Sequence, residues 1–139
     1  MSADVDMPVP VPTPESRPFW DAARERRLVM PKCRACGSTW FPPTLMCPSC
    51  GTADHEWVEV SGRGTVFSFV VMHRVYHQAF ADKVPYVVAV IDLEEGPRIL
   101  SNVVGIPPHE VHCDMAVRVT FDERRGDMTI PQFVPVRAL

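Results

Sequence analysis

Four of the five cysteines in this chain of 139 residues fall in one stretch, CRACGSTWFPPTLMCPSCG, from Cys33 to Gly51. They form two Cys-x-x-Cys-Gly turns separated by ten residues, Gly37 to Met46. Thiolates two residues apart can face one ion from a tight turn, and Gly37 and Gly51 let the backbone amides fold back towards the sulfurs. Two such turns offer Cys33, Cys36, Cys47 and Cys50 as ligands. Four soft donors with no open position suit structural zinc, Zn2+, rather than catalytic zinc, because nothing is left free to bind water. Iron fits the same donors, and redox thiols or disulfides are the competing use of such cysteines.

Other chemistry is sparse. Serine nucleophile motifs, a phosphate-cradling glycine loop and a His-Glu zinc motif are all missing. His73 and His77 are four residues apart but lie in an irregular stretch, HRVYHQAFADK, and two histidines without a third ligand seldom hold zinc. No catalytic residue of the chain's own is expected. Cys113, outside the cluster, reads as a buried or half-buried packing residue.

A metal centre must be held by elements, and composition says which kind. Valine outnumbers leucine and isoleucine, 21 against 5 and 4, and branching at Cβ favours strands over helices. The formal net charge is −3, with a pI of about 5.9, which offers no general attraction to nucleic acid. No apolar run approaches the roughly 20 residues that span a bilayer. The N-terminus, MSADVDMPVP, has acids and prolines where a signal peptide carries basic and then apolar residues. With cysteines in ligand spacing rather than a disulfide frame, a cytoplasmic protein without membrane contact is expected.

Along the chain, residues 1–15 carry prolines at alternate positions and should be extended or disordered. Residues 16–30 hold the one convincing helix, Ser16 to about Val29, with Ser16 near the N-cap, Pro18 in the first turn and arginines towards the end. Its thin apolar side, Phe19, Trp20, Ala23 and Leu28, must dock either on another chain or on its own metal module. Residues 31–55 form the metal ribbon. Its Trp40 and Phe41 either face a partner or seal the seam to the next domain.

Residues 56–139 turn to period two. Strands are expected at 57–60, at Thr65 to His73 with Phe67, Phe69 and Val71 on one face, and at Tyr86 to Leu93 and Arg98 to Val104 as a hairpin. Two more run from Ala116 to Asp122 and from about Thr129 to Val136, where Pro131 and Pro135 mark an edge or a strand end. Five or six strands without a helical period make a closed OB-type barrel the economical fold, with a small sandwich as the alternative. The fold class is therefore mainly β: an N-terminal helix, a zinc ribbon and a C-terminal barrel.

The succession PFWDAARERRLVMPKC, CRACGSTWFPP, CPSCG, EWVEVSGRGTVFSF, PYVVAVIDLEEG and IPQFVPV resembles the DUF35 family of acyl-CoA-associated zinc-ribbon and OB-fold proteins, over nearly everything from Pro18 to Val136. The resemblance implies a rubredoxin-like ribbon held by the four cysteines and an OB barrel. It also implies an obligate hetero-oligomer with a thiolase-fold subunit that carries the catalysis, be it thiolase, retro-aldolase or synthase. The small subunit would dock through Phe19, Trp20, Trp40 and Phe41 and help shape the acyl-CoA channel. One departure is Asp114, where a glycine usually precedes the methionine; Asp also adopts turn geometry.

Arg74, Tyr76 and His77, with Phe80, give the longest barrel loop cationic and aromatic groups suited to an anionic, adenine-bearing ligand such as CoA; a solvated loop is the alternative. Two readings of other classes stand beside the family: a single-stranded nucleic-acid module, and a rubredoxin-like electron carrier. The first lacks a continuous basic track on the strands. Colour separates the second, since an iron centre is reddish and a zinc site colourless.

Overall fold

Helix α1 spans Arg17–Arg24 and does not run on to Val29. The chain leaves it through a Schellman motif: Arg26 takes φ 61°, its amide donates to the Ala23 carbonyl (2.9 Å), and the Arg27 amide donates to that of Ala22 (2.9 Å). An arginine thus fills the left-handed position usually given to glycine, and nothing in the helical pattern announces that. Ser16 precedes the helix but does not cap it; its hydroxyl bonds back to Thr13 instead. The computed structural model describes residues 8–124 and 128–136, so the extended arm expected over 1–15 lies outside the described residues at 1–7.

Strand β1 (Val29–Cys33) follows at once and pairs antiparallel with β2 (His55–Glu59), from Val29 opposite Glu59 to Cys33 opposite His55. The metal-ligand loops lie between them. Beyond β2 come β3 (Arg63–Met72), β4 (Tyr86–Leu93), β5 (Arg98–Val103), β6 (Ala116–Arg124) and β7 (Met128–Pro135). They close a barrel in the order β3-β4-β5-β7-β6, with β6 returning to β3 at Arg63–Thr65. Closure removes the exposed edges that so valine-rich a sheet would otherwise present.

Strand β4 shows why the sequence closes this way. Val87, Ala89, Ile91 and Leu93 are buried, while Tyr86, Val88, Val90 and Asp92 between them are half-exposed. Strand β3 departs from the expected alternation. A bulge between Val66 and Ser68 turns Val66 fully inward and leaves Phe67 as the extra residue, half of its surface exposed beneath the Arg98 guanidinium, 3.7 Å from the ring centroid. Phe67 therefore does not share the face of Phe69 and Val71.

Two further expectations meet the same kind of local geometry. Pro131 is buried in mid-strand rather than at an end, and its carbonyl accepts a hydrogen bond from the Ser101 hydroxyl (2.9 Å). Its missing amide faces the β5 side, where β5 and β7 pair only at Val103 and Phe133, so no ladder bond is lost. Cys113 is exposed, not packed, because the chain turns sharply through Asp114 at φ 68°, whose amide donates to the Val66 carbonyl (2.7 Å). Asp114 takes the glycine-like conformation itself.

Ribbon and barrel share one apolar cluster. Phe19 of α1, Leu28, Met30 of β1 and Val60 pack with the barrel interior, where Val66, Ile91, Val117 and Phe133 are fully buried. Arg26 ties the helix end to β6, donating to the Phe121 carbonyl (3.2 Å) and pairing with Glu123 (2.6 Å). Among the described residues no helix is long and apolar enough to cross a membrane.

Candidate metal centre and docking rim

The two cysteine turns are built alike. In the first, the Cys33 amide donates to the Ser38 carbonyl (2.8 Å) and the Gly37 amide to the Cys33 carbonyl (3.0 Å); in the second, Cys47 donates to Thr52 and Gly51 to Cys47, both at 2.8 Å. Gly37 and Gly51 both take positive φ, 79° and 81°, which lets each turn double back. The Cys36 amide then donates to the Cys33 sulfur (3.3 Å) and the Ser49 amide to the Cys47 sulfur (3.4 Å). Amides aimed at sulfur favour the thiolate.

Together the turns bring all four sulfurs within 4.8 Å of one another, with Cys33 to Cys50 at 3.5 Å and Cys36 to Cys47 at 3.7 Å. Around an ion bound at about 2.3 Å, the edge of a regular sulfur tetrahedron is about 3.8 Å, so the donors fit. Cys33 and Cys47 are buried and Cys36 and Cys50 exposed, giving the cluster one sealed and one open side. The sulfurs also compete for protons. Hydrogen bonding from Ser38, by side chain and then by backbone, pulls the Cys36 thiol down to about 6. At Cys50 the Thr52 amide pulls the same way, but the neighbouring Cys33, desolvation, and Cys36 and Cys47 outweigh it and push that thiol up to about 12. Four sulfurs this close ionise together only around a cation. The arrangement suits one metal ion.

Around the cluster the aromatics divide. Trp40 is buried against Cys33 and Cys47, and its indole N–H donates to the Thr44 hydroxyl (3.0 Å). Phe19 is buried too, edge-on to Trp20 (centroids 4.8 Å apart) and 5.2 Å from Phe41. Both were expected at a partner surface, yet their own chain covers them. Trp40 completes the minimal interior of the ribbon, and Phe19 links the helix to the barrel. Trp20 and Phe41 are half-buried, and in the loop after Phe41 Leu45 and Met46 are 64% and 54% exposed. These two escaped the sequence reading because a loop Leu-Met pair carries no periodic signal.

On the barrel, the Arg74 guanidinium lies 5.1 Å from the exposed Tyr76 ring, and the His77 ring accepts from the Ala79 amide (3.0 Å). These three do not line the cleft formed beside that loop. That cleft, about 570 Å³, is walled by Phe80 and Lys83 of the same loop together with residues of β4 to β7. Metal-ligand groups among the described residues are confined to the four cysteines, so His73 and His77 form no such site.

Comparison with known proteins covers both modules. A family model described as the rubredoxin-like zinc ribbon domain of ChsH2 matches residues 20–56, and one described as its C-terminal OB-fold domain matches residues 57–122. A probable enoyl-CoA hydratase alpha subunit of Thermomonospora curvata is 42% identical over 118 residues, 84% of this chain but 36% of that protein. The chain thus spans about a third of that relative. A DUF35 domain-containing scaffold protein of Methanocaldococcus jannaschii is 36% identical over 78% of this chain and 77% of its own length. The benzoylsuccinyl-CoA thiolase subunit BbsA of Thauera aromatica is 37% identical over 64% of this chain and 59% of its own. Among solved structures, the Ltp2-ChsH2(DUF35) aldolase superposes with a TM-score of 0.82 at 39% identity, covering 91% of this chain and 98% of the matched one.

Proposed function

Because the chain belongs to the DUF35 family of zinc-ribbon and OB-fold proteins, we propose that it is a non-catalytic accessory subunit of a thiolase-superfamily enzyme acting on acyl-CoA thioesters. Relatives named as subunits of a thiolase, an aldolase and a hydratase support an accessory role in a larger assembly. The observation that carries the reading is the rim beside the sulfur cluster. Leu45 and Met46, in the loop that follows the half-buried Phe41, are strongly exposed on a module with almost no interior of its own, and Trp20 is only half covered by its own chain. Apolar side chains gain by leaving water, and those that their own chain leaves exposed can do so only where another protein covers them.

In this reading the ion is zinc, held by Cys33, Cys36, Cys47 and Cys50 in the reducing cytoplasm, and its work is to fix the rim's shape. The partner supplies the reacting groups. The barrel stands beside the partner's acyl-CoA entrance, with Arg74, Tyr76 and His77 towards the nucleotide end of the thioester.

The test is co-expression with the neighbouring reading frames, followed by affinity capture and native mass spectrometry. Replacing Leu45 by Asp and Trp20 by Ala should each weaken capture tenfold or more, the scale of a central interface residue. A variant lacking the cysteines that still co-purifies at full yield would overturn the grip. Metal analysis should return one zinc per chain and no visible absorption.

A further inference from the structure

The outer face of β3, β4 and β5 carries an apolar stripe that its own chain leaves open. Phe67, Val70 and Leu100 are 49%, 54% and 65% exposed, and Val88 and Val90 between them are half-exposed. Strand pairing sets them side by side, with Val70 opposite Val88, Val90 opposite Leu100, and Ser68 completing that second row. Phe67, at the bulge, meets Arg98 from across β4. We propose that this face binds a second copy of the chain, packed face to face about a two-fold axis that runs along β4. The face lies on other elements than the docking rim, so the pairing holds whether or not the accessory reading does.

Symmetry turns the stripe onto itself. An axis along β4 lays Val88 and Val90 of one copy on the same residues of the other, and it exchanges β3 with β5. Phe67 of each copy then falls against Leu100 of the other, so ring and leucine cover one another twice, the reciprocity that an isologous contact requires. An axis across the strands would set Leu100 over the polar Asn102 and lose that match. Within the two rows the polar side chains are Ser68 and Asn102, neither of them charged, which gives the charge-poor centre typical of a protein interface.

Charge gathers at one end instead. Arg63 at the start of β3 pairs with Glu94 of the β4–β5 turn (3.0 Å), and Arg98 with Asp92 (3.5 Å). The same axis brings Arg63 of one copy over the Glu94-Glu95 turn of the other, base towards acid, as a polar rim. At about 4.8 Å per strand and 3.3 Å per residue, three strands averaging about eight residues present roughly 380 Å² per copy. The turn and its ion pairs bring this towards about 600 Å² per copy, the small end of specific interfaces. A dimer with a micromolar dissociation constant is the expectation for such a face.

Sedimentation velocity of the metal-loaded full chain, without any partner, tests this over a concentration series. The parent should pass from monomer to dimer in the micromolar range. Leu100→Asp should raise the dissociation constant at least tenfold, because it sets a charge in the centre of the contact, and Phe67→Ser about tenfold. Both positions are exposed in the monomer, and circular dichroism and zinc content should match the parent. A parent that stays monomeric into the millimolar range overturns the proposal. So does a dimer that both variants leave intact, or one that Leu45→Asp abolishes, which moves the contact to the docking rim. Loss of partner capture in Leu100→Asp, with the parent chain monomeric by itself, gives the face to the partner and overturns the proposal too.

Discussion

Strand β1 enters the barrel's apolar cluster at Met30 and the sulfur cluster at Cys33, so a single short strand passes between two ways of holding a fold. On the barrel side, closure of five strands buries Val66, Val87, Ile91, Val117 and Phe133 almost completely. On the ribbon side the interior is two cysteines and Trp40. The barrel is held by area removed from water, at about 25 cal/mol per Å² of apolar surface. The ribbon has too little area for that and depends on its ion. Each half should therefore fail under a different insult.

Metal removal should give the largest local effect, since a structural zinc site contributes on the order of 10 kcal/mol to a module of this kind. Under a strong chelator, hydrogen exchange should lose protection from residue 33 to residue 52 while β4 and β6 keep theirs. Equal loss in both halves would break the comparison, because it would make the ion a keystone of the barrel as well. The reverse insult is a cavity in the barrel. Phe133 has no exposed surface, and Phe133→Ala should cost about 3–5 kcal/mol and lower the denaturation midpoint of the barrel. Zinc content measured below that midpoint should stay at one per chain.

The same contrast explains what could be read from the residues alone. The ribbon was legible because thiolate spacing is a local rule, and Gly37 and Gly51 stand where the turns need positive φ. Most of the barrel was legible because alternation in β4 survives intact from Tyr86 to Leu93. What escaped was decided by single backbone events. The bulge at Val66/Ser68 moved Phe67 outward, the left-handed Arg26 stopped the helix early, and the left-handed Asp114 left Cys113 exposed. Phe67 and Arg26 sit in conformations their types do not advertise, and the turn open to Asp114 does not by itself reveal where Cys113 will point. At the proposed docking rim the apolar character of Trp20 and Phe41 was visible, but Phe19 is buried by the barrel's cluster and Trp40 by the cysteines of its own ribbon, which residue type alone does not reveal.

Arg26 offers the finest test of how the halves are joined. It holds a strained left-handed turn and, from that turn, reaches β6 through the Phe121 carbonyl and Glu123. Both partners of the ion pair are more than half exposed, so the pair itself is worth under about 1 kcal/mol. Relief of the left-handed strain is worth a similar amount, about 1 kcal/mol, when glycine replaces a residue with a Cβ. Arg26→Ala keeps the strain and loses the pair, so its unfolding free energy should fall slightly. Arg26→Gly loses the pair but sheds the strain, and should match the parent within a few tenths of a kcal/mol, as estimated from those two opposing terms. If glycine were instead the worse substitution, the arginine side chain would be holding ribbon to barrel far more firmly than an exposed pair allows, and the two halves could not fail separately.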